Sequence, residues 1–272
     1  MSTAHPTTPL VAPERLVFVG GLHRSGTTAL GRLLAAHPEI SGLSRTGVRE
    51  DEGQHLQTLY QPSVAYGGPG RFARDAAAHL GPVTDTVERS RISEGLVRAW
   101  MPYWDLDSSL LLEKSPPNLV MGRYLQSVFP GSALVVVFRH PVVVALSTKK
   151  WQRWTDLTSL VEHWFVAHDA FMKDVSELER VHVLRYEDLV AHPDANLVPL
   201  TEFLGVTTPL TNNGQVRPTY SDRYRRAWTE MSGPVRGRQR RQIVKRFAEA
   251  ASRYGYDIED VDARLEWSLP DR

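Results

Sequence analysis

The chain has 272 residues, 42% hydrophobic and 23% charged, with no cysteine. That is a globular composition with apolar material for one large core, and it excludes a disulfide framework or a thiolate metal site. Lys and Arg (32) balance Asp and Glu (31) to a formal net charge of +1; no nucleic acid is expected as a partner, and no transmembrane segment, since no apolar run approaches the roughly 18 residues a span needs. The first residues lack a basic stretch followed by an apolar one, so a cytoplasmic location is expected.

Residues 1–14 are rich in Pro, Thr and Ala without an apolar period, which predicts a mobile N-terminal arm ahead of one domain over 15–272. Leu16 to Gly21 then reads as a buried strand ending in glycines, and Ala29, Leu30, Leu33 and Leu34 follow at helical spacing. Residues 40–70, punctuated by glycines, predict a long loop with a short helix over 51–59. A helix is predicted over 86–101, a strand over 110–114 and a helix over 116–128 whose first turn holds the prolines. The clearest strand, 133–138, ends at Arg139-His140-Pro141 and leads into a helix through 150. An aromatic-rich helix over 157–178, a strand over 181–186 and helices over 196–203 and 238–254 complete the chain. Strands alternating with helices predict an α/β fold, a P-loop-like parallel sheet covered by helices on both faces.

Gly21 and Gly26 have the G-x-x-x-x-G spacing of a phosphate-binding loop, between a strand and a helix. Glycines there let the backbone approach an anion while successive N–H groups and the helix N-terminus face it. Two departures argue against a nucleoside triphosphate. Thr27 stands where a Walker loop has its lysine, and the best strand ends in Arg139 rather than in a magnesium-holding aspartate. The cation lies earlier, at Arg24.

The stretch Phe18 to Thr28 (FVGGLHRSGTT) resembles the 5′-phosphosulfate loop of sulfotransferases that use 3′-phosphoadenosine-5′-phosphosulfate (PAPS), especially the protein-tyrosine type and its bacterial relatives. The resemblance implies that Arg24, Ser25, Gly26, Thr27 and Thr28 hold the 5′-phosphate and sulfonate. Ser147, eight positions after Arg139, gives the spacing of the family's 3′-phosphate pair. Arg185-Tyr186-Glu187-Asp188 resembles a family segment that implies Tyr186 near the adenine. Arg236-Gly237-Arg238 resembles a basic segment that closes over the nucleotide, and the arginines crowding residues 223–246 suit a polyanion.

Sulfuryl transfer requires cations where charge develops and a general base for the acceptor hydroxyl. Arg24 is one cation. Lys114, in Glu113-Lys114-Ser115-Pro116, resembles the lysine that contacts the transferring sulfonate in glycan and tyrosine sulfotransferases; its alternative is an ion pair with Glu113. The spacing of the tyrosine type puts the base at Arg45, which cannot serve, so Glu50, Asp51, Glu52 and His55 compete. Glu52 is taken as base with His55 beside it at helical spacing, the alternative being an exposed acidic helix start. His163 and His168, five apart, do not share a helix face, so no metal is expected. Trp151, Trp154, Trp164, Phe165, Phe171, Tyr60 and Tyr66 are candidates for an acceptor cleft. The expected reaction uses PAPS, leaves PAP, and sulfates a small-molecule, lipid or glycan hydroxyl; a homodimer is left open. The alternatives are a P-loop small-molecule kinase and a non-catalytic nucleotide- or polyanion-binding module.

Overall fold

The structure is a computed structural model that describes residues 9–212, 214–217, 219–263 and 265–269. Its frame is a five-stranded sheet of β1 (Leu16–Gly21), β2 (Ile40–Gly42), β3 (Leu110–Lys114), β4 (Ala133–Phe138) and β5 (Val181–Arg185). The strand order is β2-β3-β1-β4-β5 and every pairing is parallel. Parallel strands need a cover on both faces, and alternate residues of each strand supply it. Val17 and Val19 of β1, with Val135 and Val137 of β4, pack with α1 (Thr27–Ala35), α6 (Tyr186–Ala191) and α7 (Pro193–Leu204). Leu16 and Phe18, with Leu134, Val136 and Phe138, face the larger core built with α2 (Thr86–Trp100), α3 (Gly122–Val128), α4 (Pro141–Thr148) and α5 (Leu157–Asp174). Two further helices, α8 (Thr219–Thr229) and α9 (Arg238–Ser252), close that side. Trp228 of α8 and Ile243 of α9 are fully buried there.

Registration decides where the site falls. Val19 pairs with Lys114 on one side and Val135 on the other, and Gly21 sits beside Val137. The carboxyl ends of β1, β3 and β4 are therefore neighbours, and the segments leaving them meet at one edge of the sheet, where open α/β sheets bind ligands.

The expected helix over 51–59 is instead two 3₁₀ turns, Arg49–Asp51 and Gly53–His55. Glu50 and Asp51 carry positive φ values of 54° and 49°, which no continuous helix accommodates. The amides of Gly53 and Gln54 donate to Glu113 Oε1 and Ser115 Oγ, so side chains of β3 and the residue after it replace the helical partners. The expected helix over 116–128 divides into a 3₁₀ turn, Pro116–Val120, and α3. Asn118 anchors the first part by donating to the Val19 carbonyl at 3.1 Å and to Glu113 Oε2 at 2.6 Å.

Residues 1–8 of the expected arm lie outside the described residues. Val11 is buried and Pro13–Arg15 forms a 3₁₀ turn, with Arg15 donating to the carbonyls of Leu106 and Ser108. The chain is thus anchored from Val11, ahead of the expected boundary after residue 14.

Candidate active site

The turn after β1 is shaped by three residues with positive φ: Gly21 (149°), Arg24 (75°) and Gly26 (110°). Gly26 has a packing reason as well, since a Cβ there would meet the ring of Tyr186 at 2.4 Å. Arg24 is left-handed without being glycine, a conformation that costs energy and concentrates at functional sites. Ser25 holds the turn, its amide and its hydroxyl both donating to the Leu22 carbonyl, at 2.9 and 2.6 Å. Thr27 and Thr28 then open α1, whose N-terminal field faces the same space.

The second anchor is Arg139 at the end of β4. His140 caps α4: its Nδ1 accepts from the Val142 amide, which makes Nε2 the donor to the Asp257 carbonyl at 2.9 Å. Burial holds this imidazole below its ordinary pKa. Pro141 follows at the first helical position. This fixes Ser147 two turns along, where it accepts from Arg24 Nε at 2.8 Å and donates to Tyr224 at 3.1 Å. Arg139 donates to the Arg24 carbonyl at 2.8 Å and to Ser221 at 2.6 Å, and lies 4.4 Å from the centre of the Tyr186 ring. Its Nε is buried without a partner. Burial lowers the pKa of this guanidinium, with Glu187 acting against that; it remains a cation with an unspent donor.

Lys114 and Glu52 form the third corner. Strand alternation sends Glu113 and Lys114 to opposite faces. Glu113 accepts from Gly53, Ser115 and Asn118, and burial raises its pKa. Lys114 instead donates to the Glu50 carbonyl at 2.9 Å and to Glu52 Oε1 at 3.2 Å, so its partner is Glu52 and not Glu113. The other Glu52 oxygen accepts from Gln54 at 2.5 Å and lies 3.7 Å from His55 Nε2. Gln54 is itself oriented by the Ser63 amide on its carbonyl oxygen. Of the competing groups, Asp51 is turned away to Thr46 and Glu50 lies exposed beside Arg32. Glu52 is the buried carboxylate on the cavity wall.

These corners surround one cavity of about 870 Å³. Arg24, Gly26, Thr27, Thr28, Glu52 and His55 line it, together with Arg139 and Tyr186. Ser25 is buried behind the turn; Lys114 and Ser147 reach the site through Glu52 and Arg24. Arg236, Gly237 and Arg238 are not on its wall. Gly237 is buried against Ser232 while Arg236 and Arg238 are exposed. The unpredicted α8 takes their expected place, bringing Arg223 and Tyr224 to the wall alongside Arg217. Arg223 donates to the Tyr224 hydroxyl at 2.5 Å, so a hydrogen-bonded chain runs from Arg24 through Ser147 to α8. The sequence signal for α8 was its arginines, which were read as one cluster with those of α9.

Of the aromatic candidates for an acceptor cleft, Trp151 lines the cavity. Arg24 and Arg49 lie 4.8 and 4.6 Å from its ring centre. Trp164, Phe165 and Phe171 are core, packed edge-on or tilted around Phe138 and Tyr254, and Tyr60 is buried. Trp154 is 95% exposed, and Tyr66 lines a separate shallow cleft with Arg71 and Arg74. No group of side chains suited to a metal ion occurs among the described residues, and no described helix is long and apolar enough to cross a membrane.

A glycine turn after the central strand β1, a buried arginine after its neighbour β4 and a lysine–carboxylate pair at the end of its other neighbour β3 thus meet at one edge of a parallel α/β sheet. The chain belongs to the sulfotransferase family, whose model matches residues 16–209. It is similar to protein-tyrosine sulfotransferase 2 of Gallus gallus, at 26% identity over 202 residues, covering 71% of this chain and 51% of that protein. It is likewise similar to protein-tyrosine sulfotransferase 1 of Danio rerio, at 26% identity with 70% and 53% covered. The chain thus spans about half the length of the curated relatives it matches. Among solved structures it is similar to the sulfotransferase domain from the curacin biosynthetic pathway, at 19% identity and a TM-score of 0.49, over 88% of this chain and 98% of that one.

Proposed function

We propose that the protein transfers a sulfuryl group from PAPS to an acceptor hydroxyl, without a metal. The observation that carries this reading is the joining of two anion-ready sites in one cavity. The Gly21–Gly26 turn, with positive φ at Gly21, Arg24 and Gly26, lines the cavity at the N-terminus of α1, and Arg139 keeps a buried unpaired Nε beside it. A nucleotide with phosphates at its 5′ and 3′ positions fits that donor set: Arg24 to Thr28 for the 5′ end, and Arg139 with Ser147 and the adjoining Arg223 and Tyr224 for the 3′ end. Tyr186 is placed to pack against the base.

The chemistry then follows from Lys114 and Glu52. Lys114 spends two of its three ammonium donors on the Glu50 carbonyl and Glu52, and from behind the wall its charge acts on the transferring group. Glu52 takes the acceptor's proton as the bond from sulfur to the acceptor oxygen forms and the bond from sulfur to the phosphate oxygen breaks. Arg24 and Lys114 neutralise charge on the departing phosphate and the sulfuryl oxygens. The acceptor enters past Val48, Ser63, Val64, Pro69 and Trp151, and we assign it to hydroxyls of small molecules, lipids or glycans.

The test is incubation with PAPS and a panel of small alcohols, phenols, glycolipids and a tyrosine peptide, reading acceptor-dependent PAP release and the sulfated product by mass spectrometry. Transfer that Glu52→Gln abolishes is expected. Turnover of the tyrosine peptide alone would move the acceptor to proteins, as in the relatives' names. Phosphorylation of any acceptor from ATP would replace the reading by a kinase.

A further inference from the structure

His23 is a chemistry-bearing side chain of the phosphate turn that none of the ion pairs in the cavity uses. It lines the cavity one residue before Arg24, half-buried, with its ring edge-on to Phe72 at 5.7 Å. Its Nδ1 is buried with no hydrogen-bond partner. The charged and titratable groups around it come from every neighbouring element: Arg24 on the turn, Arg49 and His55 on the two 3₁₀ turns, and Lys114 on β3. From α5, His163 approaches behind Phe72. Burial first, and then the positive charges of Arg49, Lys114 and Arg24, hold the imidazole neutral, with its pKa pushed down to about 3.

A neutral imidazole carries one N–H and one lone pair. Buried N–H groups are left unpartnered more rarely than acceptors are. The proton therefore sits on Nε2, the nitrogen that can meet the cavity, and the lone pair stays on the dry Nδ1. This makes His23 an uncharged donor beside two cations, Arg24 and Lys114. It shares the cavity wall with Arg24 to Thr28 and Glu52, within electrostatic reach of Lys114.

We propose that His23 is a catalytic residue that binds the transferring sulfonate, donating its Nε2–H to a sulfonate oxygen. The proposal rests on the PAPS reading above. The proton stays on Nε2 throughout, so the residue acts as a fixed donor toward an oxygen whose charge changes during transfer, in the manner of a neutral histidine kept un-ionised by its surroundings. Arg24 and Lys114 supply charge; His23 supplies direction.

The experiment compares PAPS with PAP, which lacks the sulfonate, by calorimetric titration into wild type, His23→Leu and His23→Gln. His23→Leu is expected to weaken PAPS binding about 10- to 100-fold, the loss of one hydrogen bond to a charged group, and to leave PAP within about twofold. His23→Gln, which keeps an N–H donor, is expected to recover most of the PAPS affinity. An unchanged PAPS-to-PAP ratio in His23→Leu, or equal weakening of both nucleotides, overturns the proposal. Wild type that binds neither nucleotide overturns the PAPS reading and this proposal together. Nitrogen-15 spectra of histidine-labelled wild type, with His23 identified by its absence in His23→Gln, give a second test that needs no leucine variant to fold. A neutral Nε2–H tautomer from pH 6 to 8 is expected; an Nδ1–H tautomer or an imidazolium overturns the assignment.

Discussion

Glu52 keeps two fixed neighbours, Lys114 on one oxygen and Gln54 on the other, and that arrangement separates its role from binding. Glu52→Gln removes the proposed proton acceptor with little change of volume. We expect turnover to fall at least about 100-fold, the lower end of what general-base catalysis contributes, with PAP affinity within about twofold of wild type. Arg139 works the other way. Arg139→Ala removes a buried cation with a free donor and is expected to weaken PAP about 10- to 100-fold in titration, matching hydrogen bonds to a charged group. Arg139→Lys recovers little, because a point ammonium cannot reach the Arg24 carbonyl, Ser221 and a phosphate together. At this scale the placement of residues at or just after strand ends was legible: Arg24, Lys114 and Arg139 all lie where β1, β3 and β4 finish, at the edge of the sheet that holds the cavity. Glu52 was taken from a group of four competing residues, and what sets it apart in the fold, its burial on the cavity wall while Glu50 and Asp51 turn away at positive φ, has no local sequence signal. His23 offered no signal, since its meaning lies in the unpartnered Nδ1.

Among the elements, β1, β3 and β4 were readable because buried parallel strands are unbroken apolar runs. The segment over 49–55 was not, because long-range bonds from Glu113 and Ser115 replace the local ones a helix would use. Nor was α8, whose few apolar positions gain their partners only in the fold: Tyr224 on Ser147 and Trp228 on the Ile258 carbonyl. Without α8 in view, the sequence did not bring Arg223 and Tyr224 to the cavity wall, where the fold places them. The turn between β1 and α1 gives a direct check. Gly26→Ala places a methyl against the Tyr186 ring at a φ of 110°, a conformation costing about 1–3 kcal/mol for a residue with a side chain. Its thermal midpoint should fall and PAP binding should be lost, whereas Gly47→Ala, with open space around its Cβ though also at positive φ (77°), should lower the midpoint and leave PAP binding intact.

For the molecule as a whole, the buried histidines set an acid limit. His163 and His168 lie deep in the larger core, held neutral by burial with pKa values of about 3. His168 stacks on Trp164 at 3.7 Å. Both values lie below the unfolded value of 6.5, so between about pH 6.5 and 3 the unfolded chain binds protons that the fold does not. Stability is therefore flat above neutrality and declines as pH falls through that window, by roughly 1 kcal/mol per histidine per pH unit. Glu113, raised by burial, acts in the opposite sense above the ordinary carboxylate value. Urea midpoints at pH 7 and 5 should show the decline in wild type and a shallower one in His168→Phe; equal declines would remove His168 as a cause.

The account stands on one cavity that recognises two phosphates of a single nucleotide. Calorimetric titration of the full chain with adenosine 3′,5′-bisphosphate, beside ATP with Mg²⁺, tests that most directly. The account predicts selective, salt-sensitive binding of the bisphosphate, weakened by Arg139→Ala. Preference for Mg²⁺–ATP, or equal binding of both, would contradict it.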